Sequence, residues 1–180
     1  MKKTILFIFI LSFFSFYSCK KEKNSISESE IALGKKYGGG IIFYLDGSGQ
    51  HGLVAAETNQ SSAIRWYNGA YIVTGSTENA VGTGRETTLN IIDMQGAGAY
   101  AANLCEELAL NGYNDWFLPS KNELNLLYQQ RNIIGGFSEG YYWCATEYDS
   151  LHAWNQYFPY GPQYYADKAD SACVRAIRAF

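Results

Sequence analysis

Clustered metal ligands, clustered positive charge and long apolar runs are missing from most of this sequence. It has only 2 His residues, His51 and His152, and no Cys-x-x-Cys or His-x-x-x-His spacing, so no transition-metal site is expected. From Gly34 onward 9 Lys and Arg stand against 14 Asp and Glu, a net charge of −5. Because these cations are scattered, nucleic acid is not an expected partner. No apolar stretch of about 18 residues follows Cys19, so no membrane span is expected after it.

Proline is also scarce, with 3 residues in 180, whereas aromatic residues make up 16% of the chain and Tyr alone numbers 15. This composition is typical of a compact, strand-rich domain and argues against a disordered chain. With 47% hydrophobic residues, the sequence can form one well-packed domain once a targeting segment is removed.

Residues 1–18 are predicted to be a lipoprotein signal peptide. Two lysines supply the basic start, and Ile5–Phe14 is an apolar core too short to span a bilayer. Phe16–Cys19 (FYSC) resembles a lipobox, so Cys19 is the expected lipidated residue; an ordinary signal peptide cut nearby is the alternative. Residues 19–33 are polar and predict a flexible tether. We therefore expect export and attachment to the bacterial outer membrane through the lipid anchor alone, on its periplasmic or surface side.

The stretch Asn111–Leu127 (NGYNDWFLPSKNELNLL) is predicted to join two helices through a corner that buries Trp116. Asn111-Gly112 is predicted to end the first helix, because Gly accepts the left-handed backbone that closes a last turn. Ser120 and Glu123 have the spacing of a capping box, which predicts the start of the second helix.

The helix before this corner is predicted over Asn90–Leu110. Apolar residues at i, i+3, i+4 and i+7 place Cys105 on its buried stripe. The helix after the corner is predicted to end near Arg131, and Gly135-Gly136 breaks it.

Strands are predicted on both sides of these helices. Gly40–Asp46 and Gly52–Ala56 predict a hairpin, and residues 57–89 a long, mostly irregular excursion around a buried Trp66. Three further strands are predicted in the last third: Tyr141–Thr146, Ala153–Phe158 and Ala172–Phe180. A strand hairpin followed by two helices and then several strands indicates an α+β domain.

Five segments within residues 34–180, which we take as the domain, resemble a known family in their order. They read GGGIIFYLDGSGQHGLVAA, LCEELALNGYNDWFLPSKNEL, YYWCATE, AWNQYF and VRAIRAF. Together they are similar to the Lcl C-terminal domain family. The resemblance implies a C-type lectin-like fold, with two helices packed on short antiparallel sheets and long irregular loops. It also implies an exported binding module without established catalytic residues and, for the founding members, adhesion to sulfated polysaccharides.

Two positions depart from the family pattern. Cys144 stands in a strand that usually reads Tyr-Trp-Ser-Ser, and Cys173 precedes the closing strand motif. We predict a disulfide between Cys144 and Cys173, with Cys105 left as a buried thiol. A Cys105–Cys173 link, as seen in C-type lectins, is the alternative.

Two features of this sequence argue against ligands that the resemblance would allow. The net negative charge argues against sulfated chains. Glu-Pro-Asn, Gln-Pro-Asp and Trp-Asn-Asp, which serve calcium-dependent sugar binding in C-type lectins, do not occur. Four scattered carboxylates could supply oxygen ligands to calcium but form no ligand-loop pattern: Asp46, Asp93, Asp115 and Glu147.

Catalysis is the weaker hypothesis. Cys144, Glu147 and His152 lie within nine residues and could form a nucleophilic site around a hairpin. The formylglycine-generating oxidases have a related fold and use a reactive Cys pair, but their sequence signatures are absent. No catalytic residue, metal or cofactor is therefore expected.

Trp154–Tyr165 (WNQYFPYGPQYY) is the most suggestive stretch, with six aromatic residues among amides, Pro and Gly. Aromatic faces beside amides bind sugar rings or peptides, although half of these rings could instead cover the core. The absence of Lys and Arg here favours a neutral glycan or a protein ligand; a structural role in envelope assembly is the second hypothesis. The predicted ligand-binding residues are Glu147, Asp149, Trp154, Asn155, Tyr157, Tyr160, Tyr164 and Tyr165.

Overall fold

The computed structural model describes residues 31–180. The predicted signal peptide, Cys19 and the tether up to residue 30 lie outside the described residues. Across the described part of the chain, no helix has both the length and the apolar character needed to cross a membrane.

Nine strands and four helices follow one another in residues 31–180. The strands are β1 (Lys36–Tyr37), β2 (Gly40–Leu45), β3 (Gly52–Ala55), β4 (Ser61–Arg65), β5 (Tyr141–Glu147), β6 (His152–Tyr157), β7 (Gln163–Asp167), β8 (Ser171–Val174) and β9 (Ile177–Ala179). The helices are α1 (Gly84–Gln95), α2 (Ala101–Glu106), α3 (Lys121–Gln129) and α4 (Arg131–Ile134).

The strands form two sheets, which together with the helices confirm the predicted α+β class. The first sheet has the order β1-β2-β3-β9 and the second the order β4-β8-β5-β6-β7. Neighbouring strands are antiparallel except β5 and β8, which run parallel with Tyr142 opposite Cys173. The second sheet is therefore mixed, whereas only antiparallel sheets were predicted.

The predicted closing strand Ala172–Phe180 is in fact two strands in different sheets. β8 pairs with β4 and β5, whereas β9 pairs with β3. Arg175 lies at the crossing between them and is buried. Its guanidinium donates hydrogen bonds to the carbonyls of Ala56 and Gly136, at 2.9 and 2.5 Å. The crossing therefore links the two sheets through one side chain.

The predicted helix over Asn90–Leu110 is also divided. α1 begins earlier, at Gly84, and a turn at Gly96 (φ 72°) separates it from α2. Gly98, in the segment between the two helices, packs directly against Asn68. A Cβ at this position would lie 2.0 Å from the Asn68 side-chain oxygen, so only glycine fits. The apolar residues keep their helical spacing on both sides of this glycine-containing turn, so their periodicity alone predicted one continuous helix.

Asn111-Gly112 does not end a helix, because α2 has already ended at Glu106. Both residues have positive φ, 53° and 84°, and form the turn of a small antiparallel bridge between Leu110 and Tyr113. The prediction found the left-handed backbone correctly but assigned it to the wrong kind of turn.

The corner itself is as predicted. Ser120 Oγ accepts a hydrogen bond from the Glu123 N–H at 3.3 Å, and the Glu123 carboxylate accepts one from the Ser120 N–H at 2.8 Å. Glu123 also accepts from the Gly82 N–H at 2.7 Å, so the cap ties down the irregular segment before α1. Burial raises the pKa of Glu123. Trp116 is fully buried behind the corner.

Trp66 is fully buried as well, directly after β4, a strand in the stretch predicted to be mostly irregular. Its indole Nε1 donates to the Cys144 carbonyl at 2.8 Å. This hydrogen bond attaches the segment after β4 to β5, the central strand of the second sheet.

Candidate functional site

The aromatic stretch is a hairpin of two strands, β6 and β7, and not a loop. Trp154 lies opposite Tyr165 in the register, and Asn155 lies opposite Tyr164. Because successive side chains in a strand point to opposite faces, these two pairs occupy opposite faces of the sheet. The predicted set is therefore divided between two surfaces.

One face carries a cleft of about 470 Å³. It lies over the second sheet, where β5, β6, β7 and β8 and the turn before β8 contribute its walls. Its lining residues are Tyr141, Trp143, Asn155, Tyr164, Tyr165, Ala166, Asp170, Ser171 and Ala172.

Asn155 is a buried member of this lining. It is only 4% exposed, and its side-chain oxygen Oδ1 has no hydrogen-bond partner among residues 31–180. Its cross-strand neighbour Trp143 cannot serve it, because the Trp143 indole Nε1 donates to the Ile64 carbonyl at 2.9 Å. One residue of the cleft lining thus carries a buried acceptor that no described protein group satisfies.

Tyrosine rings rise along the same face. The Tyr141 ring centroid lies 4.7 Å from that of Tyr157 and 6.3 Å from that of Tyr164. Tyr160, at the tip of the hairpin, is 81% exposed; its ring lies 5.7 Å from that of Tyr157 and outside the cleft lining. Tyr141 and Tyr164 stand at the cleft itself, and both are exposed.

The opposite face carries a second aromatic cluster. Tyr148 and Tyr165 stack in parallel, with ring centroids 4.1 Å apart. Trp154 meets both rings edge-on, and the Lys121 ammonium lies 3.0 Å from the centre of the Trp154 ring. Asp149 lies beside this cluster, where its hydrogen bond with His152 lowers the pKa of the carboxyl.

Glu147 does not belong to either surface, contrary to the prediction. Its carboxylate is buried and accepts hydrogen bonds from the Lys168 ammonium at 2.5 Å and from the Thr74 N–H at 2.9 Å. The Gly75 N–H donates as well, at 3.1 Å. Lys168 and Thr74 are 21 and 73 residues away in the sequence, so the carboxylate at the end of β5 holds distant segments together inside the protein.

The nucleophilic trio considered above is not assembled either. Cys144 Sγ donates to the Trp154 carbonyl at 3.2 Å, and burial raises the pKa of this thiol to about 12. His152 contacts Asp149 at 2.9 Å, and Glu147 is paired with Lys168. No group of three or more His, Cys, Asp or Glu side chains in residues 31–180 is arranged to hold a metal ion.

The predicted disulfide is wrong: Cys144 and Cys173 are both free, buried thiols. Cys173 lies opposite Tyr142, so Cys144 is two residues out of register with it, and Cys173 Sγ instead contacts the Ser62 carbonyl at 3.3 Å. Cys105 is a buried free thiol as predicted, so the alternative Cys105–Cys173 bond is not formed either.

Six of the nine residues that line the cleft were not predicted from the sequence: Tyr141, Trp143, Ala166, Asp170, Ser171 and Ala172. The alternation of Tyr141 and Trp143 in β5 could have placed both on the cleft face. Asp170 and Ser171 could not have been found, because they join the cleft only through the parallel pairing of β5 and β8.

The fold and the cleft define an α+β domain with a small-ligand-sized opening over a mixed sheet. The family model of the Lcl C-terminal domain matches residues 55–178. The chain therefore belongs to this family, as its motifs predicted, and the cleft lies within the matched part.

A solved structure supports the fold. It is that of a fimbrial protein from Bacteroides ovatus ATCC 8483, with a TM-score of 0.50 and 12% sequence identity. The match covers 70% of this chain but 35% of the fimbrial protein, so this chain corresponds to about a third of that protein's length. At this identity the likeness concerns the fold alone. No curated protein matches the chain.

Proposed function

We propose that this protein is a non-catalytic binding or adhesion module of the bacterial cell envelope, which holds a glycan or a protein through the aromatic hairpin β6–β7. The observation that carries this proposal is a concentration of exposed tyrosine rings on and around this hairpin, on both faces of the sheet. Apolar groups gathered on a surface in this way mark interaction sites. The exposed rings are Tyr141, Tyr148, Tyr160, Tyr164 and Tyr165.

The family and the fold support the same class. Lcl C-terminal domains are expected to act as binding modules, and the fold resembles that of a protein described as fimbrial. Two longer helices packed with small sheets and long irregular segments also support the C-type lectin-like fold, which we include in the proposal. The domain would then extend over residues 34–180.

We further propose that the chain is exported and held at the outer membrane by a lipid on Cys19. Replacement of Cys19 by Ala is expected to abolish metabolic labelling with palmitate and to release the protein from membranes. Labelling and membrane fractionation of both forms in a bacterial host measure this. Membrane association equal to that of the wild type would contradict the anchor.

The double variant Tyr160→Ala with Tyr164→Ala tests the binding surface. Because both rings are exposed on the hairpin, we expect an unchanged melting temperature and at least about tenfold weaker binding, measured against glycan arrays and envelope extracts. Met94→Ala is the control, since Met94 is exposed on α1 and is part of neither the hairpin nor the cleft lining; this variant should bind normally. Full affinity in the double variant would place the binding surface elsewhere.

A role in envelope assembly is the second candidate, and it has its own supporting observation. β7 lies at the edge of the second sheet, and its residues Tyr164 and Tyr165 are exposed. An exposed edge strand can pair with a strand of another protein. Capture of one envelope protein without any glycan signal would favour this function over glycan binding.

A further inference from the structure

The outer strands of the two sheets are β1, β9, β4 and β7, and the first three are protected against pairing with another chain. Proteins protect such edges with short strands, lysines, covering segments or irregular register, because an open row of N–H and C=O groups pairs readily. β1 has two residues, one of them Lys36. β9 has three, and the backbone of Phe117 pairs with Ile177 on its outer side. The register of β4 is interrupted between Ser61 and Ile64.

These protections are missing from β7. Its five residues (QYYAD) pair with β6 in one continuous register and include neither Lys nor Pro. The side chains of Tyr164 and Tyr165, in the middle of the strand, are 49% and 50% exposed. In the part of the chain that the structure describes, β7 is therefore the regular edge that remains open to another strand.

The hydrogen bonds between β6 and β7 show which backbone groups face away from the sheet. In this register Lys168 lies opposite Leu151, and its N–H donates to the Leu151 carbonyl at 2.9 Å. Hydrogen-bonded and non-hydrogen-bonded pairs alternate along antiparallel strands. The N–H and C=O groups of Gln163, Tyr165 and Asp167 therefore face outward from the edge.

These outward groups are arranged symmetrically about Tyr165. When two copies of β7 run antiparallel with Tyr165 opposite Tyr165, Gln163 of one copy lies opposite Asp167 of the other. Every outward N–H then meets an outward C=O. The Asp167 carbonyl already accepts a hydrogen bond from the Asp170 N–H at 2.9 Å, and its second lone pair serves the new bond.

The charges of β7 are compatible with the same pairing. Its single charged side chain is Asp167, whose carboxylate accepts a hydrogen bond from the Tyr71 hydroxyl at 2.6 Å. In the symmetric register this carboxylate lies opposite the neutral Gln163 of the second copy. No like charges are opposed, and no cation from a different partner is required. A second copy is thus sufficient to complete the edge.

We infer that two copies of this protein associate through β7, antiparallel about Tyr165, so that one continuous sheet extends across both. The inference rests on the second candidate function, assembly in the envelope, and names its partner and register. Stable interfaces usually take about 20–30 residues from each side, so association through one strand is expected to be weak in solution. Copies anchored in the same membrane have a higher effective concentration, which favours the pair.

Cysteine replacements in the full chain test the register in the membranes of a bacterial host. The two Cα atoms of a hydrogen-bonded antiparallel pair lie about 5.5 Å apart, a distance that a disulfide spans. Tyr165→Cys is therefore expected to give disulfide-linked dimers under mild oxidation. Gln163→Cys is the matched control, since its two copies would lie roughly 13 Å apart along the strands and should stay at the wild-type level.

Charge replacements at Tyr165 distinguish a second copy from a different strand. Tyr165→Lys and Tyr165→Asp each oppose like charges at the twofold axis, so each should weaken self-association at least about tenfold. A mixture of the two variants should associate again. Sedimentation equilibrium of the full chain in mild detergent measures this, and Tyr160→Lys, at the hairpin tip outside β7, should associate as the wild type does. If the charged variants fail to fold, the two cysteine variants decide.

The possible outcomes separate this inference from the assembly function. Tyr165→Cys dimers no more abundant than those of Gln163→Cys overturn the register, and mixed charge variants that stay monomeric overturn pairing about Tyr165. A disulfide from Tyr165→Cys to a different envelope protein overturns the second copy as partner and leaves the assembly function standing. Crosslinking to neither a second copy nor an envelope protein overturns both.

Discussion

Replacing Lys168 with Met is expected to lower the free energy of unfolding by about 3–5 kcal/mol, because the carboxylate of Glu147 would stay buried without its cation. Lys168 and Glu147 are fully buried, with side-chain exposures of 0% and 1%. The Lys168 ammonium also donates to the carbonyls of Ile72 and Ser150, each at 3.0 Å. One side chain therefore fastens the irregular segment after Trp66 and the turn after β5 at the same time. Urea or thermal unfolding of the variant measures the loss.

A surface ion pair in the same molecule is the matched control. Lys36 Nζ lies 2.7 Å from Glu57, but these side chains are 71% and 41% exposed. Since exposed pairs contribute about 0–1 kcal/mol, Lys36→Met should hardly change stability. Adding Glu147→Gln to Lys168→Met should restore part of the loss, because the uncompensated charge is removed. A Lys168→Met variant as stable as Lys36→Met would show that the buried pair does not hold the fold.

The second large effect is expected from Arg175→Met, with a loss on the order of 3 kcal/mol. Besides the carbonyls of Ala56 and Gly136, the guanidinium donates to Asn59 Oδ1 at 3.0 Å and lies 4.0 Å from the centre of the Phe137 ring. Methionine could fill the space but would leave the Ala56 and Gly136 carbonyls without their side-chain donor, whereas Asn59 Oδ1 would keep the hydrogen bond from the Tyr142 hydroxyl. Burial lowers the pKa of Arg175 to about 10, so the side chain is charged at neutral pH.

Arg175→Lys separates charge from geometry. A lysine keeps the positive charge but cannot reach acceptors on several sides with one ammonium group, so we expect it to recover less than half of the loss. Arg65→Met, at an exposed position in β4, should change stability by no more than about 0.5 kcal/mol. Wild-type melting of Arg175→Lys would contradict the hydrogen-bonding role and leave only charge.

Both predictions concern groups that also position the candidate site. Glu147 ends β5, the strand that carries Tyr141 and Trp143 to the cleft, and Arg175 follows β8, which supplies Ser171 and Ala172. Loss of either anchor is therefore expected to weaken ligand binding together with stability.

The sequence by itself determined the features that depend on near neighbours. The capping box is readable because Ser120 and Glu123 satisfy each other across three residues. The left-handed turn at Asn111-Gly112 is readable because only a few residue types tolerate that backbone. The burial of Trp66 and Trp116 follows from their size and apolar character, and the five family motifs were enough to identify the family that the match over residues 55–178 confirms.

Only the tertiary structure decided the roles that depend on distant partners. Glu147 became an internal anchor because Lys168 folds back from 21 residues away, and the sequence cannot show that a carboxylate will meet such a partner. The last apolar segment was divided between two sheets because β8 and β9 find different neighbours. The cleft depends on the pairing of β8 with β5, which brings Asp170 and Ser171 into a lining that also contains Asn155. The local sequence does not show which remote strands will pair. The aromatic residues could therefore be predicted from the sequence, but the face of the sheet on which each one lies could not.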